Sequence, residues 1–117
     1  MQAKAVRKHV RGSAIKMRTV ANVVRGKRVA EALDMLRFLP QAATGPIALT
    51  ISSSYHNLLD QAGDDRPSDD VLYVREIRID EGPMFKRFQA APRGRGAPIL
   101  KRTSHITVVV AEAEDEA

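Results

Sequence analysis

The chain contains no cysteine and no tryptophan, and only five of its 117 residues are aromatic. Without cysteine there is no disulfide, no thiol nucleophile and no cysteine-ligated zinc, a pattern that fits the cytoplasm. So few aromatics exclude a platform on which the bases of a single strand stack in succession. Apolar runs are short and broken by charge, so no stretch is suited to spanning a bilayer. The basic N-terminus is not followed by the apolar run of a secretory signal. Acid is also missing where it would balance the opening charge. Residues 1–30 carry nine Lys or Arg and neither Asp nor Glu.

What is present amounts to one domain's length of chain, enough for one modest core. The net charge of +5 points to an anionic partner. Its distribution is more informative than its size. Lys4, Arg7, Lys8, Arg11, Lys16, Arg18, Arg25, Lys27 and Arg28 crowd one end, while residues 60–70 and 112–116 are acidic. Solubility alone is served by interspersed signs, so this segregation marks surfaces with different neighbours. A solvated basic face is the plainer alternative.

The most distinctive stretch is residues 84–100 with the Lys101-Arg102 pair that follows. It holds Lys86, Arg87, Arg93, Arg95, Lys101 and Arg102 and no acid. Pro92, Gly94, Gly96 and Pro98 punctuate it, and its apolar residues are too few for a core of its own. The flanks read as strands, residues 71–79 before it and 104–110 after it. Two strands joined by a long basic excursion predict a hairpin arm over residues 81–103. About ten residues per leg would reach on the order of 30 Å from the body. A polyanion could hold such an arm through fork-shaped arginine donors and glycines that let phosphate approach the backbone. A flexible basic loop without a fixed partner is the alternative.

The rest of the chain is read as the body that presents this arm. Residues 2–10 predict a strand, with Lys4, Val6, Lys8 and Val10 on one face and Ala3, Ala5, Arg7 and His9 on the other. Arg11-Gly12 turns the chain, and Ser13 is placed to cap a helix with its side-chain oxygen. Ala14, Met17, Ala21 and Val24 make the apolar stripe of that helix, and Gly26 supplies a left-handed end. A second helix is expected over residues 29–38, with Val29, Ala32, Leu33 and Leu36 inward, stopped by Pro40. A third is expected over residues 41–60, with Ile47, Ile51, Tyr55, Leu58 and Leu59 inward. Gly45-Pro46 either delays its start to Thr44 or kinks it, and the kink is the preferred reading. Residues 60–70 form a loop. In the strand that follows, Val71, Tyr73, Ile77 and Ile79 share a face. In the closing strand Ile106, Val108 and Val110 alternate with His105, Thr107 and Val109. The fold class is α+β: three helices on a small antiparallel sheet with a long extended hairpin, one domain over residues 1–117 with a flexible acidic tail over 112–117.

Other chemistries find little support. His9, His56 and His105 lack metal-ligand spacing. Asp64-Asp65 and Asp69-Asp70 are carboxylate pairs, but in a Gly/Pro-bearing loop such groups are ordinarily solvated. No P-loop or nucleophile motif occurs, so neither an enzyme nor a cofactor or metal is expected. Three helices with a basic face admit a helix-turn-helix reader of DNA. There is no dimerisation signal, however, and two further basic residues follow the turn glycine.

Three runs are distinctive together: Val24-Arg25-Gly26-Lys27-Arg28-Val29, Asp80-Glu81-Gly82-Pro83, and above all Lys101-Arg102-Thr103-Ser104-His105-Ile106-Thr107-Val108-Val109-Val110. They resemble the large-subunit ribosomal protein twenty-two family of bacterial type, over about residues 2–110. The resemblance implies a structural RNA-binding and assembly protein of the cytoplasmic ribosome rather than an enzyme. Its partners would be large-subunit ribosomal RNA, neighbouring ribosomal proteins and the nascent polypeptide, with no membrane and no DNA. The hairpin would line the peptide exit tunnel, with Ala91, Pro92, Arg93, Gly94, Arg95 and Gly96 at the tip. Thr103, Ser104 and His105 join the basic residues already named as candidate RNA contacts. Ser13-Ala14 stands where the family commonly has Ser-Pro, and residues 41–54 lack the lysines usual in the third helix.

Overall fold

The core forms where three helices meet one face of an antiparallel sheet, as the apolar stripes predict. The computed structural model describes residues 1–40, 43–90 and 96–112. The elements run β1 (Gln2–Arg11), α1 (Ala14–Val24), α2 (Val29–Phe38), α3 (Thr44–Ala62), a single 3-10 turn (Asp69–Val71), β2 (Leu72–Glu81), β3 (Phe85–Ala90), β4 (Gly96–Lys101) and β5 (Thr103–Glu112). The sheet order is β1-β5-β2, so the last strand fills the middle, antiparallel to both neighbours. Among the described residues β3 and β4 pair only with each other. The molecule measures 66 × 25 × 22 Å with a radius of gyration of 17.5 Å. A compact chain of this length would have about 13 Å, so the arm stretches it.

The helical stripes are seated as read. Ala14, Met17, Ala21 and Val24 of α1 and Val29, Ala32 and Leu36 of α2 are buried, with Leu33 half-buried beside them. In α3, Ile47, Ile51 and Leu58 are fully buried; Tyr55 packs at the margin, and Leu59 is half-buried outside the cluster. Thr50 and Ser54 lie on the same inward face. The Ser54 hydroxyl donates to the Ala3 carbonyl at 2.9 Å, a small polar contact that lets α3 lie close on β1.

Five local expectations are corrected. α3 starts at Thr44 rather than kinking at Gly45-Pro46. Pro46 falls in its first turn, where amide donors have no intrahelical partner anyway, so the missing N–H costs nothing. Residues 41 and 42 lie outside the described residues. Ser13 occupies the N-cap with extended geometry but makes no side-chain capping bond; its carbonyl instead accepts from the Met17 amide at 3.1 Å.

The third and fourth corrections concern strand phase. In β1 the pairing with β5 shifts between Arg7 and Val10, where His9 takes a left-handed φ of 59°. This bulge changes the alternation: Ala5 and Val10 are both buried and Ala3 packs on the core, while Val6 is exposed. In β2 the pairing shifts between Val74 and Glu76. Leu72 and Val74 therefore join Ile77 and Ile79 in the core, and the expected common face of Val71, Tyr73, Ile77 and Ile79 does not exist. Strict period-two alternation has no room for the extra residue of a bulge. β5 itself keeps phase, with Ile106, Val108 and Val110 in the core, and runs on to Glu112. Glu112 thus belongs to the sheet, opposite Leu72, rather than to the tail. Residues 113–117 lie outside the described residues.

Candidate nucleic-acid interface

The arm grows out of β2 and β5 through a built root. Between the pairs Glu81–Ser104 and Phe85–Lys101, three residues on one leg (Gly82, Pro83, Met84) face two on the other (Arg102, Thr103). This surplus acts as a bulge and lets the ribbon leave the sheet. Four hydrogen bonds hold it. The Gly82 amide donates to the Thr103 carbonyl at 2.9 Å, and the Thr103 hydroxyl donates to the Pro83 carbonyl at 2.6 Å. The Gly12 amide donates to the Arg102 carbonyl, and the Ser104 hydroxyl to the Gly12 carbonyl, both at 3.0 Å. Glycine is required at two of these positions, at Gly82 by space and at Gly12 by its backbone conformation. A β-carbon on Gly82 would stand 2.5 Å from Thr103 Oγ1, and one on Gly12, whose φ is 144°, 2.7 Å from Met17 Cε.

Around this root the fold gathers cations from distant parts of the chain. Arg11, Lys101 and Arg102 line one open hollow together with Gly12 and Ser13. Arg11 also lines a neighbouring cleft of about 430 Å³ with Lys16, Met17, Ala43 and Pro46. Arg11, Lys16, Lys101 and Arg102 are all exposed. Four positive side chains on one rim, with backbone carbonyls already occupied, suit a bent phosphate backbone rather than a catalytic step.

The remaining candidates sort by position. Lys4, Arg7 and Lys8 are exposed along β1, one edge of the sheet. Arg18, Arg25, Lys27 and Arg28 follow the opposite edge, β2. Arg18 Nε and Nη2 donate to the Ile79 carbonyl at 3.1 and 2.9 Å. Arg25 Nη2 donates to the Ile77 carbonyl at 2.8 Å, and its Nη1 donates to Asn22 Oδ1. Lys27 lends its carbonyl to the Val74 amide at 2.8 Å, and Arg28 bridges to Tyr73. These side chains and loops cover the open edge of β2, so Arg18 and Arg25 serve the fold before any partner. Residues 4–28 therefore lie along two edges and the root rather than on one continuous surface.

Thr103 and Ser104 are buried, and their hydroxyls are committed to the root. His105 is half-buried; its Nδ1 accepts from the His9 amide at 3.1 Å, and the two rings meet edge-on at 5.0 Å. That acceptance places the proton of neutral His105 on Nε2. Lys86 and Arg87 are paired with Leu100 and Ile99 across the ribbon. Gly96 opens β4 and is exposed. Ala91, Pro92, Arg93, Gly94 and Arg95 lie outside the described residues.

Comparison with known proteins bears on what this rim meets. The family described as "Ribosomal protein L22p/L17e" matches residues 5–111. The chain belongs to that family. It is 52% identical over 115 residues to the large ribosomal subunit protein uL22 of Salinibacter ruber, covering 98% of this chain and 94% of that protein. It is 46% identical over 117 residues to uL22 of Bifidobacterium longum, covering 97% and 98%, and 46% identical over 114 residues to uL22 of Leptospira biflexa, covering 97% of each. The family is one of ribosomal proteins, not of enzymes.

Among the described residues no helix is long and apolar enough to cross a membrane, and no three His, Cys, Asp or Glu side chains group as metal ligands. Two features of the root are invisible to sequence reasoning. The His9–His105 contact joins residues 96 positions apart, and nothing local announces it. Gly12 and Gly82 look like punctuation in the sequence, whereas a positive φ demands the first and close approach the second.

Proposed function

We propose that the chain is a structural component of the large ribosomal subunit in the cytoplasm, where it grips large-subunit ribosomal RNA chiefly through phosphates. The convergence of Arg11, Lys16, Lys101 and Arg102 at the arm's root carries this reading, and family membership supports it. The root bonds aim the ribbon away from the body, while the exposed cations beside them meet the RNA. Lys4, Arg7 and Lys8 extend the grip along β1. Lys86, Arg87, Arg93 and Arg95 extend it along the arm, whose residues 91–96 face the nascent polypeptide at the exit tunnel. Thr103, Ser104 and His105 position the arm rather than touch RNA. Neighbouring ribosomal proteins complete the setting.

The test has two parts. The tagged chain should co-sediment with large subunits and stay bound at moderate salt; recovery only in the soluble fraction would overturn the assignment. Binding of the pure protein to large-subunit ribosomal RNA should show a steep salt dependence. Replacing Arg11, Lys16, Lys101 and Arg102 together with alanine should make the logarithmic slope shallower by about 0.7–0.9 for each phosphate that is no longer neutralised. An unchanged slope would remove the root from the interface.

A further inference from the structure

One face of the body is unsuited to RNA. Glu31, Asp34 and Phe38 are spaced so that they share the outer side of α2, opposite its buried stripe. Together with Met35 and with Asp69 and Asp70 of the 3-10 turn they line a groove of about 520 Å³. Among the described residues of its rim Arg28 alone is cationic, so four carboxylates leave it three net negative charges. Phe38 is 86% exposed, far beyond what a packed aromatic shows. The acidic side of the groove is held in place: Tyr55 donates its hydroxyl to Asp69 Oδ1 at 2.7 Å, and Ser68 accepts from the Asp70 amide. Phosphates would be repelled here. A single exposed ring beside fixed carboxylates is what an arginine side chain meets best, its guanidinium stacked on the ring and forked to an acid.

We propose that this groove docks a lysine- and arginine-rich segment of a neighbouring protein, one of whose arginines stacks on Phe38 while an apolar side chain sits against Met35. Charge complementarity selects the partner's class, and the exposed aromatic supplies the anchor that pure charge lacks. The proposal rests on the chain's being a subunit component, since only then is a fixed neighbour supplied. It divides the surface by partner: the root and β1 edge for RNA, the outer face of α2 for protein.

Two measurements decide it. In the first, a fluorescein-labelled arginine-rich peptide carrying one leucine is titrated against the full chain and followed by anisotropy. Asp34→Lys and Phe38→Ala should each weaken binding about tenfold, whereas Asp64→Lys, outside the groove, should not. Equal losses at Asp34 and Asp64, or none at Phe38, would mean only diffuse charge attraction and overturn the proposal. In the second, p-benzoylphenylalanine replaces Phe38 in cells, and irradiated large subunits are analysed by mass spectrometry. The expected product is a cross-link to a Lys/Arg-rich segment of another protein. Cross-links to RNA alone, or none from incorporated protein, would overturn it. If the unaltered chain does not sediment with the subunit, the functional reading itself fails, and the peptide titration still judges the groove.

Discussion

β5 and the β3–β4 ribbon are built from the same antiparallel hydrogen bonds but are stabilised differently. β5 has a strand on each side and α3 over one face, so Ile106, Val108 and Val110 are wholly buried. The ribbon has six residues per strand and, among the described residues, no third strand. An isolated two-stranded hairpin is marginal in water, because strand pairing largely exchanges hydrogen bonds with water for hydrogen bonds within the chain. The body is therefore expected to be stable by itself, and the arm to be held by what it meets.

Amide exchange of the free protein is the most direct way to break that comparison. Val108 and Ile77 should exchange only through global opening, while Phe85–Ala90 and Gly96–Lys101 should exchange at least about a thousandfold faster. Equal protection would mean that the arm is stable alone. Cavity formation comes next. Ile106→Ala should cost about 2–5 kcal/mol in denaturant unfolding, and Met84→Ala, at an exposed site beside the ribbon, at most about 0.5 kcal/mol.

The root sharpens the contrast because it belongs to both regions. Gly82→Ala forces a β-carbon onto Thr103 Oγ1 and the His105 ring, and should destabilise by about 1–3 kcal/mol. It should also weaken RNA binding more than Met84→Ala does, since the arm leaves at the wrong angle; identical RNA affinity for the two variants would show that the root does not aim the arm.

A smaller effect than that of Ile106 lies at the margin of the body. The hydrogen bond to Asp69, aided by partial burial and the nearby carboxylate charge, raises the Tyr55 pKa above its ordinary value. Folding therefore favours the neutral phenol. The stabilisation is complete below the unfolded pKa of about 10 and is lost as pH rises through the raised folded value. Tyr55→Phe should cost about 1 kcal/mol at neutral pH, and the gap from the unaltered chain should close in alkali. A gap that persists there would assign the loss to packing.

The sequence by itself determined the α+β class, the three helical stripes, the alternation of β5 and the basic arm. Each is a local pattern: side chains three, four or two positions apart share a face whatever the rest of the chain does, and a charge run stays a charge run. The Lys101–Val110 run also carried the resemblance to the family that the whole chain matches. Only the tertiary structure decided the phase of β1 and β2, since a bulge is set by the partner strand's register and leaves no mark in composition. It also turned Arg18 and Arg25 onto the carbonyls of β2, buried Ser104 under Gly12, and set Arg11 beside Arg102. Those outcomes join residues 52 to 92 positions apart. A cation is written the same way whether it will meet a phosphate or a carbonyl; the nearest unpaired acceptor in space decides, and that position exists only once the chain has folded.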